Sequence, residues 1–180
     1  MSMRSVKHFS PAEIACVNKT FVHAEVLLRR HYGLSHGEWK SHRYDVKTLA
    51  HLEEHEVNEQ AFAHLCKYGF GKNQGAADAD EFCFYRVCLQ DDRILNAVER
   101  AHSFIKLHPL MLYIATHELV HIIRFNRGES QFNAPREEKT KEEDTVHAIT
   151  RSILQPVAHQ GLNLVLDCFS DQYHIGDICN

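Results

Sequence analysis

"YIATHELVHIIRF" (Tyr113–Phe125) is an apolar run that contains two histidines and a glutamate. Taken back to Leu110, it holds Met111, Leu112, Ile114, Leu119, Val120, Ile122 and Ile123, so a helix built from it is apolar on every side. A helix of that kind is a buried helix. His117, Glu118 and His121 therefore stand where a core calls for hydrocarbon. Burying a carboxylate and two imidazoles without partners costs on the order of several kcal/mol. The question for the rest of the chain is what satisfies them.

Spacing supplies a first answer. His117 and His121 are separated by one helical turn, so both project from one face. Glu118 is rotated from His117 by about 100° and cannot easily join the same tetrahedral set. This is the HExxH arrangement, in which two imidazoles ligate a metal ion and the glutamate reaches a water molecule as general base. Fifteen histidines and fifteen glutamates make the spacing common by chance: roughly one chain in ten of this composition would contain it. Context sharpens it. The residues between Glu118 and His121 are uncharged, and Ile122 and Ile123 follow.

With those uncharged flanks the stretch resembles the signature of the zincin metallopeptidases. The resemblance covers about Leu110 to Leu154, and it implies a third protein ligand. In the gluzincin branch this is a Glu on a following helix, roughly twenty or more residues downstream. The segment "PREEKTKEEDTVHAIT" offers Glu138, Glu142, Glu143 and His147. Stepping back from the apolar face of Val146, Ile149, Ile153 and Val157 lands on Glu143 and Glu142, and Glu143 shares a face with His147. Glu143 is the expected ligand. His147 is expected to support it, to donate to the transition state, or to ligate in its place. Gluzincins often carry an acidic residue at the position held here by His147. Glu138 and Glu142 read as a solvated helix start, favoured there by the macrodipole. The resemblance also implies a sheet edge above the active helix, with Phe82–Leu89 as its strand and Gly71–Glu81 as a lid.

The bulk properties are compatible with such a domain. A chain of 180 residues with 44% hydrophobic content suits one domain, residues 1–180, with a real core. A net charge of -4 with interspersed signs argues against a nucleic-acid partner. No secretory h-region opens the chain and no run of about 18 apolar residues exists, so neither export nor a membrane span is expected. The six cysteines form no CxxC. In a cytoplasmic protein they read as reduced, small core residues rather than ligands.

Periodicity predicts a helix from Pro11 to about His31, with Ser10, Pro11 and Glu13 at its start in a capping-box pattern. Its apolar stripe is Ile14, Val17, Phe21, Val22, Val26 and Leu28. A second long helix is expected from Tyr44 to Tyr68, and Phe82–Leu89 is the strand candidate. Asp91 or Asp92 should cap a helix reaching about Leu107. Pro109 should open the next, and Pro135 a last one reaching about Val157. "LNLVLDCF" fits either a strand or a helix. The fold class expected is α+β, mainly helical, with a buried HExxH helix, a following ligand-bearing helix and a small sheet.

The expected activity is hydrolysis by a zinc-activated water, with a peptide or protein as substrate. His117, His121 and Glu143 hold Zn²⁺, and Tyr113, Arg124 or His147 stands near the oxyanion. Two other readings compete. One is a non-catalytic site closed by His147. The other is a di-iron carboxylate protein, because Glu99–His102 and Glu118–His121 are both ExxH on helices, with Glu25, Glu54 or Glu143 completing the set. "HLEEH" (His51–His55) matches the inverted zinc motif, but its charged neighbours Glu53, Glu56 and Glu59 make it a solvated helix face. Oligomeric state is not legible.

Overall fold

The structure is a computed structural model and describes residues 4–70 and 82–170. It is α+β and mainly helical, with one three-stranded sheet. Helix α1 (Pro11–Tyr32) starts with the expected capping box: Ser10 Oγ accepts from the Glu13 amide and Glu13 accepts from the Ser10 amide. It ends at Gly33, whose φ of 64° is the left-handed cap that glycine adopts without strain. The buried stripe differs slightly from the expectation. Ala24 and Leu27 join Val17, Phe21 and Leu28 inside, while Val22 and Val26 face outward.

Helix α2 (His36–Ser41) buries Trp39 and is followed by strand β1 (Tyr44–Lys47). The expected helix from Tyr44 to Tyr68 does not form. In its place the chain makes β1, short 3-10 turns at Leu49–His51 and Glu54–Glu56, and strand β2 (Ala63–Phe70). Strand β3 (Phe82–Leu89) forms where expected and explains the correction. Tyr85, Val87, Cys88 and Leu89 are all buried, so β3 lies inside the sheet. Its backbone groups then need neighbours on both sides. β1 supplies one side in parallel and β2 the other in antiparallel, giving the order β1-β3-β2. "AHLCKY" carries no clean alternation, since Lys67 shares a face with Ala63 and Leu65, so tertiary demand selects the strand here.

Helix α3 (Asp91–Arg100) is shorter than expected. Its aspartates do not cap it. Asp91 accepts the amides of Phe9 and Leu49, and Asp92 that of Lys7, so they tie the incoming chain to the sheet. His102 and Ser103, both at positive φ, then turn the chain into α4 (Leu107–Asn126). Pro109 lies within the first turn of α4, where no intrahelical N–H bond is lost. Helix α5 (Arg136–Leu154) has Pro135 as its N-cap residue, and a 3-10 turn carries the chain on to Val157. "LNLVLDCF" resolves as helix α6 (Gln160–Cys168).

Every residue from Pro109 to Ile123 is buried, because α1, α3, α5, α6 and β2 all pack on α4. No described helix is long and apolar enough to cross a membrane, and none of the described cysteines is in a disulfide.

"HLEEH" is solvated as expected, but on 3-10 turns rather than a helix, and its charged neighbour Glu56 is not solvated. His51 and His55 are exposed on the 3-10 turns, but Glu56 is fully buried. Its carboxylate accepts from Arg86 Nη1 at 2.9 Å, from the Glu53 amide at 2.9 Å and from the Tyr68 hydroxyl. Burial opposes the charge, yet these three partners outweigh it and hold the carboxyl down to about 2. A carboxyl lowered in the folded state stabilises the fold above its unfolded value and ceases to do so as pH falls toward the folded one. Stability should therefore drop between about pH 4.5 and 2. Denaturant titrations at pH 5, 4 and 3 check this: wild type should lose stability more steeply than Glu56→Gln, and parallel losses would exclude Glu56 as a source of the acid sensitivity.

Candidate metal centre

Helix α4 delivers the three residues of the opening motif to the floor of a cavity of about 440 Å³. Helix α5 forms one wall with Lys139, Glu142, Glu143 and His147, and the chain around β2 forms the opposite wall with Ala61, Ala63, His64 and Leu65. Phe125 and Phe132 complete an apolar end.

Three donor groups meet at that floor. His117 Nε2 and His121 Nε2 are 3.2 Å apart. Glu143 places one oxygen 3.2 Å from His117 Nε2 and the other 3.1 Å from His121 Nε2. A tetrahedral zinc ion with N and O ligands at about 2.0–2.1 Å separates its donors by about 3.3 Å. The contacts between the two imidazole nitrogens and the Glu143 carboxylate, which turns a different oxygen to each ring, are all close to that separation. The residues present thus suit a divalent cation in size, and imidazole with carboxylate is a donor set that zinc accepts. Because the Nε2 atoms converge, the Nδ1 atoms point away. Neither has a hydrogen-bond partner among the described residues, though the Glu142 carboxylate lies 3.8 Å from His121 Nδ1.

The electrostatics follow from burial. Glu118 is buried, and desolvation pushes its carboxyl above the usual carboxylate range despite the pull of His117, His121 and, more weakly, His64. A raised carboxyl is a stronger base. Desolvation would lower His121, but the Glu143 carboxylate, with Glu118 and Glu142 adding, raises it instead. Glu143 is itself driven well below the carboxylate range, its burial overcome by hydrogen bonds to His117 and His121.

His147 stands one step back from these three groups. A ring nitrogen lies within 4.8 Å of the donor atoms of His117 and Glu143, and His147 Nδ1 is 2.5 Å from the Tyr113 hydroxyl. The Tyr113 ring lies flat on Phe169, with centroids 4.1 Å apart and planes 5° apart. The α6 end of the chain thereby holds Tyr113, and Tyr113 holds His147.

Several sequence expectations change here. Glu138 is exposed as expected, but Glu142 is buried. Arg124 donates to both its oxygens, Nε at 2.8 Å and Nη2 at 2.9 Å, and also to Glu129 at 2.7 Å. Arg124 is therefore committed to fastening α4 to α5 and is not a donor to an oxyanion. Phe82–Leu89 is the central strand, so it cannot serve as the exposed edge; β2 is the edge beside the cavity. The lid expected at Gly71–Glu81 lies outside the described residues. Glu99 and His102 are not brought to the site: they line a separate cavity, and Glu99 pairs with Lys7. Glu25 accepts from the Tyr44 hydroxyl, and Glu54 is an exposed residue on a 3-10 turn. The sequence reading missed His64 and Phe132. No local pattern in "AHLCKY" marks His64, because Cys66 and Lys67 break the alternation.

Comparison with family models, with curated proteins and with solved structures returns no match for this chain. The functional reading stands on the geometry of the cavity.

The α4–α5 clamp makes its own prediction. Arg124→Ala leaves the Glu142 carboxylate buried without its partner, and removing one member of a buried pair costs about 3–5 kcal/mol. Urea titration measures this, and a loss below about 0.5 kcal/mol would mean that the pair behaves as an ordinary surface contact.

Proposed function

We propose that the protein is a zinc-dependent metallohydrolase of the zincin, gluzincin-like type that acts on peptides. The observation that carries this is the convergence of the two imidazole nitrogens and the Glu143 carboxylate, with contacts of 3.1–3.2 Å, and the buried Glu118 carboxyl in the same cavity. His117, His121 and Glu143 would hold the ion. A zinc ion bound there supplies Lewis acidity, which polarises a carbonyl and brings the acidity of water toward about pH 7.

The chain's own residues do the rest. Glu118, kept basic by its buried position, takes a proton from a water molecule as it attacks the carbonyl carbon. It then returns that proton to the leaving nitrogen. His147, positioned by the Tyr113 hydroxyl, lines the same cavity and would donate to a developing oxyanion. Among the described strands β2 is paired on one side only, and an extended peptide can add to such an edge as a further strand. Phe125, Phe132 and Leu65 then form an apolar pocket for one of its side chains.

A second reading has one observation in its favour. His147 lies near enough to His117 and Glu143 to close the coordination as a fourth ligand, and a closed site is structural rather than catalytic. Glu118→Gln separates the two. A hydrolase should keep its zinc and lose about 100-fold or more of its rate on a quenched fluorogenic peptide library. Retained zinc with an unchanged rate removes Glu118 from the chemistry. Chelation followed by zinc addition should abolish and restore the same activity. Elemental analysis of His117→Ala should show loss of this ion, and an ion that survives that change sinks the assignment.

A further inference from the structure

A second convergence of donors lies on the face of the sheet turned away from the core. Strand register sets His64 opposite Cys88 and Cys66 opposite Arg86. His64, Cys66 and Cys88 therefore project from one face, while Ala63, Leu65, Val87 and Leu89 project from the other into the core. One ring nitrogen of His64 and the two sulfurs lie within 4.8 Å of one another. Cys88 is fully buried and Cys66 half-buried, so a small ion has a way in on the Cys66 side.

The distances favour a metal over a disulfide. The sulfurs are 3.8 Å apart. Two thiolates at about 2.3 Å from a tetrahedral zinc ion are separated by about 3.8 Å. A disulfide instead needs about 2.05 Å between sulfurs and about 4.4–6.8 Å between Cα atoms. Cys66 and Cys88 are diagonal neighbours on antiparallel strands, a relation that sets Cα atoms about 7–8 Å apart. Closing that bond requires the strands to shift, whereas an ion between the sulfurs does not.

His64 is held in the form that a ligand needs. Its Nε2 lies 2.6 Å from the Glu56 carbonyl oxygen, and a carbonyl only accepts, so Nε2 carries the proton and the lone pair is on Nδ1. Metal-binding histidines are oriented in this way by a carbonyl on the far nitrogen. Gln90 Nε2 donates to the same oxygen at 3.0 Å and fixes it in turn.

We infer that His64, Cys66 and Cys88 form a second metal site, a thiolate–imidazole set that takes Zn²⁺ and leaves its fourth position to water. The site is independent of the catalytic reading and differs from it in chemistry, since thiolates select softer ions than imidazole with carboxylate. It braces edge strand β2 against β3. His64 also lines the cavity above Glu118, so the brace holds one wall of that cavity in place.

Cobalt(II) titration of the metal-free full-length chain tests this. Wild type should give a sulfur-to-cobalt charge-transfer band in the near ultraviolet. Cys66→Ser, at a half-buried position, should lose the band, His64→Ala should weaken the binding that produces it, and His117→Ala should keep it. Elemental analysis should find about two zinc ions per chain in wild type and about one in each of Cys66→Ser and His117→Ala. No such band in wild type overturns the proposal, as does a band that persists in Cys66→Ser. Zinc lost only in His117→Ala removes this site and leaves the first. Zinc lost only in Cys66→Ser does the reverse.

Discussion

Two imidazoles and a carboxylate are buried in the middle of a helix that hydrocarbon surrounds, and the structure is organised around satisfying them. Burial of such groups is tolerated only where partners replace water. Here the partner that reaches both histidines is Glu143, carried on the next long helix. Two buried imidazoles and a half-exposed carboxylate that converge to within 3.2 Å make a costly arrangement without an ion and a natural one with it. An ion bound there, as proposed, would add its binding free energy to the stability of the fold.

The surroundings of α4 serve that convergence. Arg124 grips Glu142 one residue before Glu143, which sets the rotation of α5 so that Glu143 points at the histidines. Phe169 stacks on Tyr113, and Tyr113 meets His147, so α6 reaches the cavity through two aromatic contacts. On the other side, β3 is held between β1 and β2, and Asp91 ties both the N-terminal segment and the turn at Leu49 to the end of β3. This places β2, with Ala63, His64 and Leu65, along the cavity. The helices supply the donors and the sheet supplies the wall.

Much of the helical half was legible in the sequence because its signals are local. Ser10, Pro11 and Glu13 mark the start of α1 with side-chain bonds inside one turn, and the all-apolar run around His117 can only be a buried helix. Glu143 was accessible through helical phase, since Val146 fixes which side of α5 faces inward. The sheet was less legible. β1 and β2 form because β3, which is buried, needs two neighbours, and that requirement is invisible in the residues of β1 and β2 themselves. Glu56 and Glu142 were read as solvated for a related reason: the arginines that pay for their burial, Arg86 and Arg124, are distant in sequence. A charge reads as exposed until its partner is known.

The central claim is that one ion sits against His117, His121 and Glu143. A crystal of zinc-loaded protein, with diffraction recorded above and below the zinc absorption edge, tests it directly. The account predicts an anomalous peak at about 2.0–2.2 Å from Nε2 of both histidines and from a Glu143 oxygen, with the Glu118 carboxylate outside bonding distance. No peak among those three residues, or a peak bonded to His147 while Glu143 turns away, would contradict it.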